Sequence, residues 1–382
     1  MKKTISLILA LVFFLSLTVP ASAEETNSFD VKAKSAVLME ASTGTVLYSK
    51  CPDDPLPPAS VTKVMTLLLV MEAIDSGNLS LTDTVSVSEH AASMGGSQVY
   101  LEPFEEMTVE DMLKSVVVAS ANDAAVALAE KVGGSEEAFV NRMNERAGEL
   151  QMKSTHFENV SGLDDDTKNH VTSARDIAIM SRELIVNHPL ILNYSSIWMD
   201  SIRGGEFGLT NTNRLVRFYK GATGLKTGST SKAGFCISAT AQRDGMDLIA
   251  VIMGSETRDI RNAAASSLLD WGFANYSVYK EQGQKAGKIP VTGGCEKEVD
   301  AEYADVSFLL KKTGGEITKT VELNKNAQAP VKKGDVVGKI TFKRGDETVG
   351  EADVTASKDV DKIGFFGCLA DILKKFCLIN QK

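Results

Sequence analysis

Hydrophobic and polar positions change period several times along the chain, and each change marks an element. After Pro57-Pro58, the run Leu67-Leu68-Leu69-Val70-Met71 with Ala73 and Ile74 is apolar on nearly every helical face. Such a helix is predicted to lie buried in a large domain. The prolines with Ser60 and Thr62 mark its start, and Gly77-Asn78 its end. Upstream, Ser35 to Met39 and Thr45 to Tyr48 read as strands of a hairpin turning at Ser42-Thr43-Gly44. Residues 80–135 read as mainly helical, with Val109 to Val132 apolar at mixed spacing, and residues 136–192 as helices with loops. Thr172-Ser173-Ala174-Arg175-Asp176 caps one of those helices. Phe235 to Ala241 and Leu248 to Met253 predict two strands joined at Arg243-Asp244-Gly245. A helix from Arg261 to Phe273 follows.

Beyond it, residues 280–295 are rich in Gly and Lys and read as a linker. Four stretches then alternate in the manner of strands: Asp305 to Leu309, Ile317 to Leu323, Val336 to Phe342 and Thr348 to Val354. The last 22 residues return to helical period, with Ile363, Phe366, Ala370, Leu373 and Cys377 on one stripe. At the other end, Lys2-Lys3, an apolar core from Ile5 to Val19 and Ala21-Ser22-Ala23 form a secretory leader. The expected organisation is a leader over 1–23, a large domain over 24–279, a small all-β domain over 280–360 and an amphipathic helix over 361–382.

Composition narrows the function. The net charge is −9, and loss of Lys2 and Lys3 with the leader makes the chain more acidic. That excludes the basic footprint of a nucleic-acid binder. The five cysteines form no CxxC, and the four histidines no HExxH, so no disulfide framework, metal site or cofactor is expected. Asp164-Asp165-Asp166 lacks the alternating ligands of a calcium loop and reads as a solvated turn.

Three short patterns carry chemistry. Ser60 and Lys63, three apart, share a helical face near an N-terminus, a nucleophile beside its base. The same spacing recurs at Ser229/Lys232 and Ser277/Lys280. Ser120-Ala121-Asn122 places polar groups in an apolar run, where they serve either as a cap and core network or as a pair facing a cleft. Gly224-Leu225-Lys226-Thr227-Gly228 puts small residues and a cation on a strand. An edge strand of that kind admits a substrate backbone, with Lys226 for a carboxylate and an N–H beyond Gly228 for an oxyanion. A second Lys-Thr-Gly, at Lys312, reads as a hairpin turn.

In this order and in an exported chain, the three patterns resemble the signature of penicillin-binding proteins and serine β-lactamases. Pro58-Ala59-Ser60-Val61-Thr62-Lys63, Ser120-Ala121-Asn122-Asp123-Ala124 and Gly224-Leu225-Lys226-Thr227-Gly228 resemble the low-molecular-mass D-alanyl-D-alanine carboxypeptidases. Thr155 to Leu163, Ser173 to Asp176 and the tail Gly364-Phe365-Phe366-Gly367 extend the resemblance, which is nearest to the Gram-positive sporulation-type members. It implies an α/β fold, an antiparallel sheet flanked by helices, plus the small β domain. It implies hydrolysis of the terminal D-alanine of a peptidoglycan stem peptide through a Ser60 acyl-enzyme, with inhibition by β-lactams.

The resemblance makes Ser60, Lys63 and Ser120 catalytic. Asn122, Lys226, Thr227, Gly228 and Ser229 bind substrate, assisted by Arg258 or Arg261. The backbone N–H groups of Ser60 and Ser229 form the oxyanion hole. It also implies that the terminal helix holds the enzyme peripherally on the extracytoplasmic face of the cell membrane; a helix packed on the β domain has the same periodicity. One departure is Ser161, where better-known Gram-negative members carry histidine, which bears on how firmly that loop is held and on deacylation. The alternatives are a class A β-lactamase, which needs a Glu-x-x-Leu-Asn loop not found here, a DD-endopeptidase, and a catalytically silent wall-binding scaffold. Oligomeric state is not legible.

Overall fold

Apolar runs long enough to be covered on both faces form the centre of the molecule. The computed structural model describes residues 31–379, so the leader assigned to 1–23 lies outside the described residues. Five strands make the first sheet: β1 (Ser35–Glu40), β2 (Val46–Lys50), β3 (Ala222–Thr230), β4 (Gly234–Arg243) and β5 (Met246–Ser255), in the order β2-β1-β5-β4-β3, all antiparallel. β1 is buried at every residue and β5 at Leu248 to Met253, as the predicted strands require. β3 is an edge strand, the position from which a substrate backbone can be paired.

Helices cover both faces. The principal ones are α1 (Lys63–Asp75), α2 (Val109–Val118), α3 (Asn122–Gly133), α4 (Ala174–Asn187) and α5 (Arg258–Asn275). α1 packs against α3 and α4, and ten of its residues are buried, which explains its apolar sequence all round. Ser173 caps α4 by accepting from the N–H of Asp176. α5 lies on the opposite face, where Gly272 meets Leu248 and Leu38 so closely that a Cβ there would stand 2.6 Å from Leu248.

Several expectations are corrected. Residues 80–135 are not mainly helical: Thr84–Ser86 pairs with Glu106–Thr108, and the run from Val109 to Val132 breaks at Ala119–Ala121. The Gly- and Lys-rich stretch is not a linker. It takes in the end of β6 (Tyr276–Glu281) and the whole of β7 (Lys285–Thr292), and its glycines allow close approach of neighbouring chain; a Cβ at Gly283, between the two strands, would stand 2.4 Å from the Tyr303 carbonyl oxygen. The remaining strands are β8 (Glu298–Glu302), β9 (Val306–Lys311), β10 (Ile317–Leu323), β11 (Ala327–Gln328), β12 (Val336–Arg344) and β13 (Glu347–Ala356). Six form a sheet in the order β10-β12-β13-β8-β7-β11, and β6 pairs with β9. Lys312-Thr313-Gly314 therefore links strands of two sheets and is not a hairpin turn. This β part has its own hydrophobic core, around Phe342, Ile340 and Val299.

The terminal helix α6 (Phe365–Ile379) starts later than expected. Asp361 and Ile363 are still tied to the β part, through the bonds Cys295 N–H to Asp361 O and Ile363 N–H to Gly293 O. Phe365 and Phe366 are exposed, at 76% and 82%. Among the described residues, no helix is long and apolar enough to cross a membrane.

Candidate active site

Ser60 lies in a 3₁₀ turn, Ala59–Thr62, that leads directly into α1. The turn is held from below. Thr62 Oγ1 donates to Ala59 O at 2.9 Å and meets His170 Nε2 at 2.8 Å. Glu158 N–H donates to His170 Nδ1, so the neutral ring carries its proton on Nε2 and donates it to Thr62. Burial holds His170 neutral, its pKa lowered to about 4. Ala59 adopts φ +49°, a backbone state a non-glycine residue reaches only where the surroundings impose it.

Lys63 is fully buried, and its Nζ has three neighbours: Ser60 Oγ at 3.1 Å, Asn122 Oδ1 at 2.5 Å and Ser161 O at 2.7 Å. The two carbonyl oxygens can only accept. A neutral amine has two hydrogens and one lone pair, so the two hydrogens go to the carbonyls and the lone pair faces the Ser60 hydroxyl. The electrostatics favour that state. Burial first, then the charge of Lys226, brings the Lys63 pKa well below its usual value, against the opposing pull of Asp123.

Ser120 sits at the break between α2 and α3, at φ +64°. The break turns its hydroxyl to Lys226, whose Nζ donates to Ser120 Oγ at 2.8 Å and to Thr227 O at 3.0 Å. Lys226 is also fully buried, and desolvation followed by the charge of Arg261 lowers its pKa to about 7. Asn122 spends Oδ1 on Lys63 and one Nδ2 hydrogen on Gly95 O, which leaves its second hydrogen for a ligand.

β3 lies against the Ser60 turn. A Cβ at Gly228 would stand 2.8 Å from Ser60 N and 2.9 Å from both Pro58 O and Val61 N, so only glycine permits this approach. Thr227 Oγ1 donates to Thr212 Oγ1 at 2.8 Å, and Ser229 beyond it is exposed. Of the two arginines, Arg261 is 2% exposed, with its guanidinium on Cys236 O and Asn262 Oδ1. Arg258 instead opens to a cavity that Thr212 also lines.

Several contributing residues were not legible beforehand. Asp164 is no solvated turn: it is buried, bonded through its carboxylate to Thr230 and through its carbonyl to Lys232, while Asp165 and Asp166 are exposed. Asp123 is buried and accepts from the N–H groups of Val99 and Leu101, fixing the loop beside Asn122. The Ser161 loop is held without a histidine at that position. Asn159 Oδ1 accepts from Ser161 and Gly162 N–H, and a Cβ at Gly162 would fall 1.9 Å from Ala59 O. What Ser161 offers Lys63 is a backbone carbonyl, which any residue provides.

The metal-competent grouping among the described residues is Glu72, Glu183 and His188. Arg146 already binds both of those carboxylates, at 2.8 and 2.7 Å, and Asp75 holds the histidine. The cysteines described are unpaired.

A sequence profile described as D-alanyl-D-alanine carboxypeptidase, peptidase S11, matches residues 20–257. The chain belongs to the D-alanyl-D-alanine carboxypeptidase family. It is a hydrolase of that activity. A second profile, the C-terminal domain of penicillin-binding protein 5, matches residues 273–362. The chain is similar to the D-alanyl-D-alanine carboxypeptidase DacF of Bacillus subtilis, 41% identical with 96% of each chain covered. DacC of Escherichia coli is 31% identical, over 96% of this chain and 94% of the relative. Among solved structures, penicillin-binding protein 5 of Haemophilus influenzae superposes with TM-score 0.78 at 32% identity, covering 88% of this chain and 99% of that one.

Proposed function

We propose that Ser60 is the nucleophile that removes the terminal D-alanine from peptidoglycan stem peptides, with Lys63 as its base. The carrying observation is the set of three neighbours of Lys63 Nζ, which leaves a neutral amine's lone pair for Ser60 and nothing else. Ser60 Oγ attacks the carbonyl of the penultimate D-alanine and Lys63 takes its proton. The oxyanion forms between the N–H groups of Ser60 and Ser229, where Gly228 brings strand and turn together. The C–N bond breaks, and Ser120, in contact with Lys226, passes a proton to the leaving amine. Water then hydrolyses the ester and restores Ser60. Asn122 orients the peptide amide, and Lys226 and Thr227 hold the terminal carboxylate. A β-lactam enters the same path and stalls at the ester.

The test is intact-mass analysis after incubation with penicillin, followed by mapping of the adduct. Ser60 should carry it, and Ser60→Ala should carry none while staying folded. An adduct on Ser229 or Ser277 overturns the assignment.

The same reading places the enzyme outside the cell membrane, attached to it peripherally by α6. The support is the exposure of Phe365, Phe366, Leu369, Ile372 and Leu373 on one short helix, the form of an interfacial anchor.

A further inference from the structure

The loop that holds Asn122 also displays two aromatic rings to solvent. Asn122 donates through its N–H to Ser97 O and through Nδ2 to Gly95 O, each at 2.7 Å. Farther along the same loop, Tyr100 is 71% and Phe104 72% exposed. Neither is loosely held. The N–H groups of Val99 and Leu101, on either side of Tyr100, both bond Asp123, and Arg203 Nη2 donates to Tyr100 O at 3.1 Å. The Tyr100 ring meets Phe207 edge-on with centroids 6.4 Å apart, and Arg203 lies over Phe207 at 5.5 Å. Phe104 N–H donates to Val87 O at 2.7 Å, and the neighbouring Glu105 is gripped by Arg203 through Nε and Nη2.

Folding does not account for these rings. Both residues have left-handed backbone, φ +57° at Tyr100 and +65° at Phe104. Glycine or asparagine would take that conformation with less strain. An exposed ring also gains nothing from burial. Strained, exposed and rigidly held aromatics on the rim of a cleft are a binding surface, because they lose little freedom when a ligand covers them. The charge around them selects the ligand. Glu102, Glu106 and Glu206 are exposed there, and Arg203 is already paired with Glu105. Carboxylates repel an anionic polymer or lipid headgroup and accept from hydroxyl and amide N–H groups. A neutral amino sugar, with an apolar C–H face and a hydroxyl and acetamido edge, suits rings and carboxylates together.

We propose that Tyr100 and Phe104 stack on the amino-sugar chain that carries the stem peptide, so that the enzyme recognises glycan as well as peptide. The inference rests on the roles assigned above to Ser60 and Asn122. The reach fits. Three residues separate the penultimate D-alanine from the sugar, roughly 10 Å of extended chain. Tyr100 follows Ser97, the partner of Asn122, by three residues, roughly 11 Å at most. The rings touch sugar and no reacting atom. They add binding that is the same before and in the transition state, which lowers KM and leaves kcat unchanged.

The test compares a free pentapeptide ending in D-Ala-D-Ala with the same pentapeptide on an N-acetylglucosaminyl-N-acetylmuramyl tetrasaccharide, using the full chain and Tyr100→Asn/Phe104→Asn. Asparagine removes the rings and tolerates the left-handed backbone, so the loop keeps its shape. The wild type should favour the glycan-linked substrate. The double variant should lose roughly tenfold in kcat/KM on it, the size of two modest aromatic contacts, with the loss in KM. On the free pentapeptide it should stay within about twofold. An N-acetylglucosamine tetramer without peptide should bind the Ser60→Ala chain in ligand-observed NMR, and adding the two asparagines should abolish that binding. A wild type indifferent to the glycan overturns the proposal, as do equal losses on both substrates or no tetramer binding. If the double variant instead sediments less with phosphatidylglycerol vesicles and keeps its glycan preference, the rings face lipid and the proposal falls. Absence of pentapeptide hydrolysis and of penicillin labelling at Ser60 overturns the reading beneath, while tetramer binding still decides this one.

Discussion

Gly228 is where the two halves of the site touch, so Gly228→Ala tests the proposed oxyanion hole most directly. The added Cβ would stand 2.8 Å from Ser60 N, against an ordinary contact distance of at least 3.4 Å, so β3 must retreat from the turn by about 0.6 Å. The atoms it meets are backbone and cannot rotate away. Overpacking of this kind costs about 1–3 kcal/mol of stability. The kinetic cost is larger. A displacement approaching 1 Å is worth ~100-fold when it misaligns reacting groups, and loss of one oxyanion donor ~100- to 1,000-fold. The rate of acylation by a fluorescent penicillin should therefore fall by roughly two to three orders of magnitude, while circular dichroism still reports a folded protein with a lowered Tm. Gly148→Ala is the control: it meets nothing within 4 Å and should be neutral or slightly stabilising. Acylation of Gly228→Ala within threefold of wild type would refute the reasoning.

Replacing Lys226 by Met removes a positive charge that depresses the Lys63 pKa, so the acid limb of the acylation pH profile should move to higher pH. An unmoved limb would show that Lys226 does not tune the base. His170 binds no proton in the folded state until about pH 4, against 6.5 when unfolded. Between those values the unfolded state holds more protons, so stability should fall as pH drops through that window, by about 3 kcal/mol at 1.36 kcal/mol per pH unit. Urea midpoints for His170→Gln should lack that component of the slope; an identical slope counts against it. Truncation after Gly364, which spares the Asp361 and Ile363 bonds, should release an active enzyme from membranes. Loss of stability or of penicillin binding in that variant would make α6 part of the fold.

What the sequence determined by itself was local chemistry. Three-residue spacing is enough to pair Ser60 with Lys63, because three residues complete the 3₁₀ turn between them, and apolar residues on every face of a helix with 3.6 residues per turn are enough to bury α1. Alternation and turn residues likewise placed β4, β5, β12 and β13 close to their observed bounds. The same local reading failed where identity and environment separate. Asp164 looks like its neighbours Asp165 and Asp166, yet only Asp164 is buried against β3 and the segment after it. Glycine and lysine suggested a linker where β7 runs, since composition reports solubility and not pairing. The decisive contacts lie far apart in the chain: Lys63 with Ser161 across 98 residues, Lys226 with Ser120 across 106. One of them is made by a backbone carbonyl, a group present at every position and therefore invisible in residue type. Tertiary structure alone selected that carbonyl, because the shift in the Lys63 pKa comes from burial and from a second charge delivered by an edge strand.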